Sequence, residues 1–134
     1  MNRTRARAVA LLLLYRQEFV PVSLDEAFAE EDPGDQRDYI VRLFEGVNRR
    51  RPELDRRIGE RTVGWRFERL ALLDRNILRV GAFEILERSD DVPPEVAIDA
   101  AVELSKLYGT DPACSYVNGI LDRIWKDERG RAEA

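Results

Sequence analysis

The spacing of the apolar residues is the feature of this chain that most restricts its fold. Apolar side chains recur at steps of three and four residues along almost the whole sequence, and strand-like two-residue alternation never persists beyond a few residues. This pattern is typical of helices that bury one face. We therefore predict an all-α fold in which two small helical bundles, with about seven helices in total, pack as one compact domain over residues 1–134.

Helix-terminating and helix-capping residues divide the first half of the chain. The first helix is predicted over residues 5–17 and is stopped by Pro21. Ser23 and Glu26 form a capping box, in which each side chain bonds a free backbone amide at the start of a short second helix. Asp35 is predicted to cap the third helix.

A proline and a glycine mark the middle of the chain. Pro52 is predicted to break or kink the third helix, because proline has no amide hydrogen and clashes with the preceding turn. An amphipathic segment then continues to Gly64 and Trp65, which we interpret as the hinge between two halves. The N-terminal bundle is expected over about 3–62 and the C-terminal bundle over about 65–127.

The second half is more regular. Residues 70–86 are too apolar for a surface helix and are predicted to form the central helix of the bundle. Pro94 suits the first position of the next helix, which Gly109 closes. The last helix is predicted over about 112–127, and the tail 128–134 is expected to be disordered.

The composition argues against an enzyme. The chain has no histidine and one cysteine, which excludes a Ser-His or Cys-His nucleophile and a typical zinc site. Neither a glycine-rich phosphate loop nor a spaced acidic metal motif is present. Cys114 is better interpreted as a small buried apolar residue than as a lone nucleophile. We expect no catalytic residue, no metal and no cofactor.

Hydropathy and charge point to a cytoplasmic protein. No apolar run reaches the ~20 residues that cross a bilayer, and no small-residue cleavage site follows the apolar segment 8–14. The net charge of −4 does not by itself indicate a nucleic-acid binder. The distribution is uneven, however, because residues 1–16 carry arginines and no acid, whereas residues 24–38 are rich in acids.

The basic start of the first helix is the strongest candidate for a binding site. Arg3, Arg5 and Arg7 lie where the helix dipole disfavours cations, which suggests an anionic partner such as phosphate. A solvated basic tail is the alternative. Tyr15 and Tyr116 could stack on bases beside these arginines, although aromatic residues at helical spacing more often belong to a core.

Several polar residues within apolar helices are interpreted as structural. Asn118 and Gly119 are unfavourable inside a helix, which close helix packing against the glycine and a side-chain bond of the asparagine would explain. Asp74 is expected to pair with Arg79 or with another element of the bundle. Glu84 belongs either to a buried network or to an exposed contact.

Four sequence blocks stand out in the second half of the chain. They are LDRNILRVGAFEIL (73–86), VPPEVAI (92–98), AVELSK (101–106) and YVNGILD (116–122). Taken together, they resemble the family of the transcription antitermination factor NusB. Their order and spacing match over about residues 65–125, and the arginines and Leu14-Tyr15 extend the match toward the N-terminus.

The resemblance implies an all-helical, non-enzymatic protein of two small bundles. It implies binding of single-stranded boxA RNA from ribosomal RNA leaders together with ribosomal protein S10 (NusE), within the antitermination complex on RNA polymerase. No membrane is involved, and a homodimer is left open.

The resemblance also implies roles for individual residues. The basic stretch is expected to contact RNA through Arg3, Arg5 and Arg7, and Tyr116 is expected to meet a base. Tyr15 is expected near the RNA and S10 surfaces, and Glu84 near the S10 surface.

Two other functions compete with this hypothesis. An RNA methyltransferase can carry a similar helical domain, but no Rossmann-like segment that could hold a methyl donor is present. A helical protein–protein scaffold or dimerisation module without an RNA role is the second alternative. Loss of RNA affinity on replacing the three N-terminal arginines by alanine would exclude it.

Overall fold

The described residues, 1–89 and 91–133, form six α-helices and two short 3-10 turns in a computed structural model. No strand is formed within them, which confirms the predicted all-α fold. The 3-10 turns span Gly34–Gln36 and Phe67–Arg69. The helices are α1 (Arg3–Gln17), α2 (Leu24–Glu30), α3 (Arg37–Glu60), α4 (Leu72–Glu87), α5 (Pro94–Tyr108) and α6 (Ala113–Glu133).

Helix α4 is the centre of the molecule, as its apolar sequence predicts. It packs against α1 and α3 on one side and against α5 and α6 on the other. The fit on each side is close, because a Cβ added to Gly46 would overlap the ring of Phe83, and one added to Gly81 would lie 2.6 Å from Leu121. The division into bundles at about 62–65 remains a prediction, since α4 contacts helices from both halves.

Most helix ends lie close to their predicted positions. Asn2 caps α1, with its side chain accepting a bond from the Arg5 amide at 2.8 Å, so the helix begins two residues earlier than predicted. Ser23 caps α2 through the Glu26 amide, Pro94 is the first residue of α5, and Gly109 follows its last residue. Ser23, Pro94 and Gly109 therefore confirm the predicted boundaries.

The predicted cap at Asp35 is wrong, and Pro52 does not break the third helix; a kink at Pro52, the other predicted outcome, stays a prediction. Helix α3 continues through Pro52, and Leu54 and Ile58 beyond it are fully buried. Burial of these side chains offsets the ~3 kcal/mol by which a proline disfavours a helix interior. Asp35 lies in a 3-10 turn instead, and Gln36, which precedes α3, makes no side-chain capping bond.

The predicted disorder of residues 128–134 is also wrong as far as Glu133. Helix α6 continues to that residue, and Ala134 lies outside the described residues. Glu128 accepts a 2.8 Å ion-pair bond from the buried Arg57, and Asp127 is held by Arg61 at 2.6 Å. These contacts tie the last turns of α6 to the end of α3. In the described part of the chain, no helix is long and apolar enough to cross a membrane.

Candidate nucleic-acid interface

Of the first two arginines of α1, Arg5 is exposed and Arg3 is half-buried, so both reach the surface. The Arg3 guanidinium lies 3.8 Å from the centre of the Tyr39 ring and donates a 2.7 Å bond to the Gln36 side chain. Arg5 donates two bonds to the carboxylate of Glu31, at 2.9 and 2.7 Å, with 46% and 42% of the two side chains exposed. Because the Arg5–Glu31 pair is partly in water, exchanging the carboxylate for a phosphate requires little desolvation.

Arg7, by contrast, is buried in a network that joins three helices. Its Nε donates a 2.9 Å bond to Glu84 Oε1 in α4, and the Tyr39 hydroxyl of α3 donates a 2.7 Å bond to Glu84 Oε2. Both the ion pair and the tyrosine lie in the core. Burial, and then the Glu84 charge, raise the pKa of Tyr39 above its usual range, so its hydroxyl stays a donor.

Tyr116 is also largely enclosed. Its hydroxyl donates a 2.7 Å bond to Asp74 Oδ2, and the same carboxylate accepts bonds from the backbone amide and the hydroxyl of Thr110. Burial, together with the bond to Asp74, raises the pKa of Tyr116 above its usual range. Asp74 thus holds the start of α6 against α4.

Trp65 covers the ring of Tyr116 and was missed as a site residue in the sequence. The ring centres lie 5.6 Å apart at an interplanar angle of 43°, and 51% of Trp65 is exposed. The sequence placed Trp65 in a hinge after Gly64, and nothing in the spacing of the two aromatic residues predicts their contact. The signal that could have found it is a tryptophan directly after Gly64, in the predicted hinge.

Tyr15 does not lie with the N-terminal arginines. It is two turns beyond Arg7, roughly 12 Å along the helix axis, and its ring makes an edge contact with Phe19 at 5.2 Å. Phe19 is 63% exposed. The end of α1 therefore presents an aromatic patch separate from the basic start.

The remaining polar residues are mostly structural, and for Asp74 and Glu84 the structure selects one of the two predicted alternatives, another element of the bundle for Asp74 and a buried network for Glu84. Asp74 pairs with residues of the last helix and its approach, as described above, and not with Arg79, which binds Asp55 and Glu18. Helix packing does not explain Gly119, because the closest atoms to an added Cβ belong to Arg123, at 3.3 Å. Asn118 is exposed.

Cys114 is half-buried and close to the Ser105 hydroxyl, at 3.3 Å. Within residues 1–89 and 91–133, no group of three or more histidine, cysteine, aspartate or glutamate side chains could hold a metal ion.

Sequence comparison finds relatives over almost the whole chain. The profile of the NusB family matches residues 4–126. The transcription antitermination protein NusB of Saccharopolyspora erythraea is 42% identical over 125 residues, covering 92% of this chain and 84% of that protein. The NusB of Ruminiclostridium cellulolyticum is 38% identical, covering 96% and 91%.

Two solved structures share the fold. T. maritima NusB superposes with a TM-score of 0.82 at 34% identity, covering 94% of this chain and 92% of that one. A chain from the crystal structure of antitermination factors NusB and NusE in complex with dsRNA gives a TM-score of 0.75 at 30% identity, covering 95% and 99%.

Proposed function

Because this chain belongs to the NusB family, we propose that it is a transcription antitermination factor that binds RNA together with ribosomal protein S10 (NusE). Its RNA target is the boxA element of ribosomal RNA leaders, and the complex supports read-through by RNA polymerase in the cytoplasm. The protein contributes binding surfaces and no catalysis. The relative solved with NusE and dsRNA supports this function at 30% identity over nearly the full chain.

The observation that carries the proposal is the accessible pair Arg3 and Arg5 at the start of α1. The Arg5 guanidinium already holds a carboxylate in the two-bond geometry that also fits a phosphate. Arg3 is stacked on Tyr39, which limits its rotamers and directs its charge. Two arginines held in this way form a prepared contact for an RNA backbone.

The buried residues Arg7, Glu84 and Tyr116 position the helices that carry the proposed binding surfaces. Arg7 and Glu84 fix α1 against α4, so the basic start of the helix has a defined place. Tyr116, through Asp74, fixes the start of α6. Direct contacts of Arg7 and Tyr116 with RNA, and of Glu84 with S10, remain predictions that would require these buried networks to open. Tyr15 and the exposed Phe19 beside it are the proposed contact for S10.

A binding titration tests the function. A labelled boxA-type oligonucleotide is titrated with the chain, with and without purified S10, at low salt and then at increasing salt. We expect S10 to raise the RNA affinity and added salt to lower it. If S10 brings no gain in RNA affinity at low salt, the proposed function is wrong.

A matched pair of variants tests the site. Arg5→Ala removes the exposed phosphate contact, whereas Arg131→Ala removes another exposed, ion-paired arginine near the end of α6, with 61% of its side chain exposed against 46% for Arg5. We expect Arg5→Ala to weaken RNA binding and to reduce its salt dependence, and Arg131→Ala to leave both unchanged. Equal effects of the two variants would indicate nonspecific attraction.

A further inference from the structure

The indole ring of Trp65 is exposed to solvent on one side and supported by the protein on the other. Its ring packs on Tyr116, and the Tyr116 hydroxyl is anchored by Asp74 in α4. More than half of the tryptophan nevertheless remains exposed. Large aromatic side chains usually bury most of their area, so an exposed and supported ring is a candidate for recognition.

The loop that carries Trp65 is fixed on both sides. Before it, Arg123 donates two bonds, at 3.2 and 2.9 Å, to the carbonyl of Arg61. Gly64 then turns the chain with a φ of +78°, a conformation that glycine adopts without strain. After it, Phe67 is buried in the core. The ring is therefore ordered before any ligand arrives, which limits the entropy lost on binding.

The space beside Trp65 is open and carries accessible positive charge. A shallow cleft of about 490 Å³ lies between the tryptophan and the end of α3, and the charged residues along it are Asp55, Arg56, Glu60, Arg66 and Glu68. Asp55 is engaged by Arg79 at 2.7 Å. Glu60 is engaged by Arg56 at 3.0 Å. Among the residues that the structure describes, Arg66, Glu68 and Arg69 make no ion pair and all three are exposed, so two free arginines flank one free carboxylate.

We propose that Trp65 stacks on an unpaired base of the bound RNA, with Arg66 and Arg69 contacting the adjoining phosphates. An exposed aromatic ring flanked by arginines is the arrangement by which proteins hold single-stranded RNA. This inference rests on the proposed RNA-binding function and extends it to the loop between α3 and α4. A protein partner could also cover an exposed tryptophan, but the two free arginines outnumber the free carboxylate of Glu68 and favour a polyanion.

Tryptophan fluorescence tests the stacking directly. The chain has two tryptophans, and Trp125 lies between Arg88 and Arg129. In a Trp125→Phe variant, Trp65 is the sole reporter. Adding a boxA-type oligonucleotide with S10 should quench its emission in parallel with binding measured by anisotropy. A strand of equal length with abasic sugars should leave the emission unchanged.

Two substitutions at Trp65 separate stacking from simple apolar contact. Trp65→Leu keeps an apolar cover over Tyr116 but has no aromatic face, and it should lower RNA affinity about tenfold. Trp65→Phe keeps a smaller face and should lose less. Trp125→Phe, the matched control, should bind RNA like the unmodified chain. Thermal melting by circular dichroism checks that each variant folds; if Trp65→Leu does not fold, Trp65→Phe and the quenching experiment decide.

Each remaining outcome contradicts the inference in a different way. One outcome is that RNA binds in the presence of S10 without quenching Trp65, and with the same affinity for Trp65→Leu as for the unmodified chain. In that case the stacking role is wrong and the proposed function stands. If Trp65→Leu weakens S10 binding in the absence of RNA, Trp65 is a protein contact. If the unmodified chain with S10 does not bind RNA, the proposed function and this inference are both wrong.

Discussion

Arg7 and Glu84 form a buried ion pair, with Nε and Oε1 2.9 Å apart, that joins α1 to α4 across 77 residues of sequence. The second carboxylate oxygen is taken by the Tyr39 hydroxyl of α3. Three helices thus meet at one carboxylate, and the Tyr39 ring of the same network supports the Arg3 guanidinium. The orientation of the basic surface depends on a charge pair that itself has little access to solvent.

Removing one member of this pair should destabilise the protein strongly. Arg7→Met leaves Glu84 buried without its cation, and we expect a loss of about 3–5 kcal/mol in the free energy of unfolding, measured by urea denaturation. Arg5→Met, which breaks an exposed pair, should lose less than about 1 kcal/mol. Replacing both Arg7 and Glu84 by methionine should recover much of the loss. Similar values for Arg7→Met and Arg5→Met would show that Arg7 is not buried in solution.

Replacing Glu31 should strengthen RNA binding. The bond from Arg5 lowers the pKa of Glu31, so this carboxylate is charged at neutral pH and competes with phosphate for the same guanidinium. Glu31→Gln removes the competing charge, and we expect a severalfold tighter complex in a low-salt titration. The gain should disappear when Arg5→Ala is also present. An equal gain in that double variant would assign the effect to net charge alone.

The two buried tyrosines, Tyr39 and Tyr116, should ionise at a higher pH than tyrosine in an unfolded chain. Tyrosine in an unfolded chain titrates near about pH 10, whereas burial raises the pKa of both Tyr39 and Tyr116 in the folded state. A raised pKa favours the neutral form, so its contribution to stability is complete below about pH 10 and is lost as the pH rises through the folded-state pKa. In an alkaline titration followed by tyrosinate absorbance, part of the signal should therefore appear only as the chain unfolds.

Phenylalanine variants check that assignment. Tyr39→Phe combined with Tyr116→Phe should remove the part of the absorbance change that occurs at the highest pH and leave the part that occurs at lower pH. If the part at the highest pH persists in this variant, it arises elsewhere in the protein.

The sequence predicted local structure better than it predicted partners. The central helix, the Ser23 cap and the start of α5 at Pro94 follow from short-range patterns, and all three are present. Continuation through Pro52 could not be predicted in this way, because it depends on the burial of later residues in the same helix. Side-chain partners were the hardest to predict, since Asp74 and Tyr116 are 42 residues apart and only the fold brings them together.

The candidate site shows the same limit. Three arginines at two-residue spacing were equivalent in the sequence, but α1 turns Arg7 inward and leaves Arg3 and Arg5 accessible. Trp65 contributes to a surface only because α6 places Tyr116 beneath it. Helical periodicity indicates which face of a helix is buried, and it does not indicate which loop covers the end of another helix.

Alanine at Gly81 and at Gly119 should have opposite consequences. At Gly81 an added Cβ would lie 2.6 Å from Leu121 and 3.2 Å from Ala101, where α4 meets α5 and α6, so we expect a loss of about 1–3 kcal/mol from overpacking. At Gly119 the nearest atom is the end of the flexible Arg123 side chain, at 3.3 Å. Alanine there has a higher helix propensity than glycine, which should raise the free energy of unfolding by up to about 1 kcal/mol. Shifting the Arg123 guanidinium would reduce this gain.

Urea denaturation of both alanine variants measures the difference. We expect Gly119→Ala to be as stable as the unmodified chain or more stable, and Gly81→Ala to be clearly less stable. Because Arg123 also holds the carbonyl of Arg61, Gly119→Ala should loosen the loop that carries Trp65. The fluorescence anisotropy of Trp65 would report this change. A large destabilisation by Gly119→Ala would instead place this glycine in a helix–helix contact and contradict the packing described here.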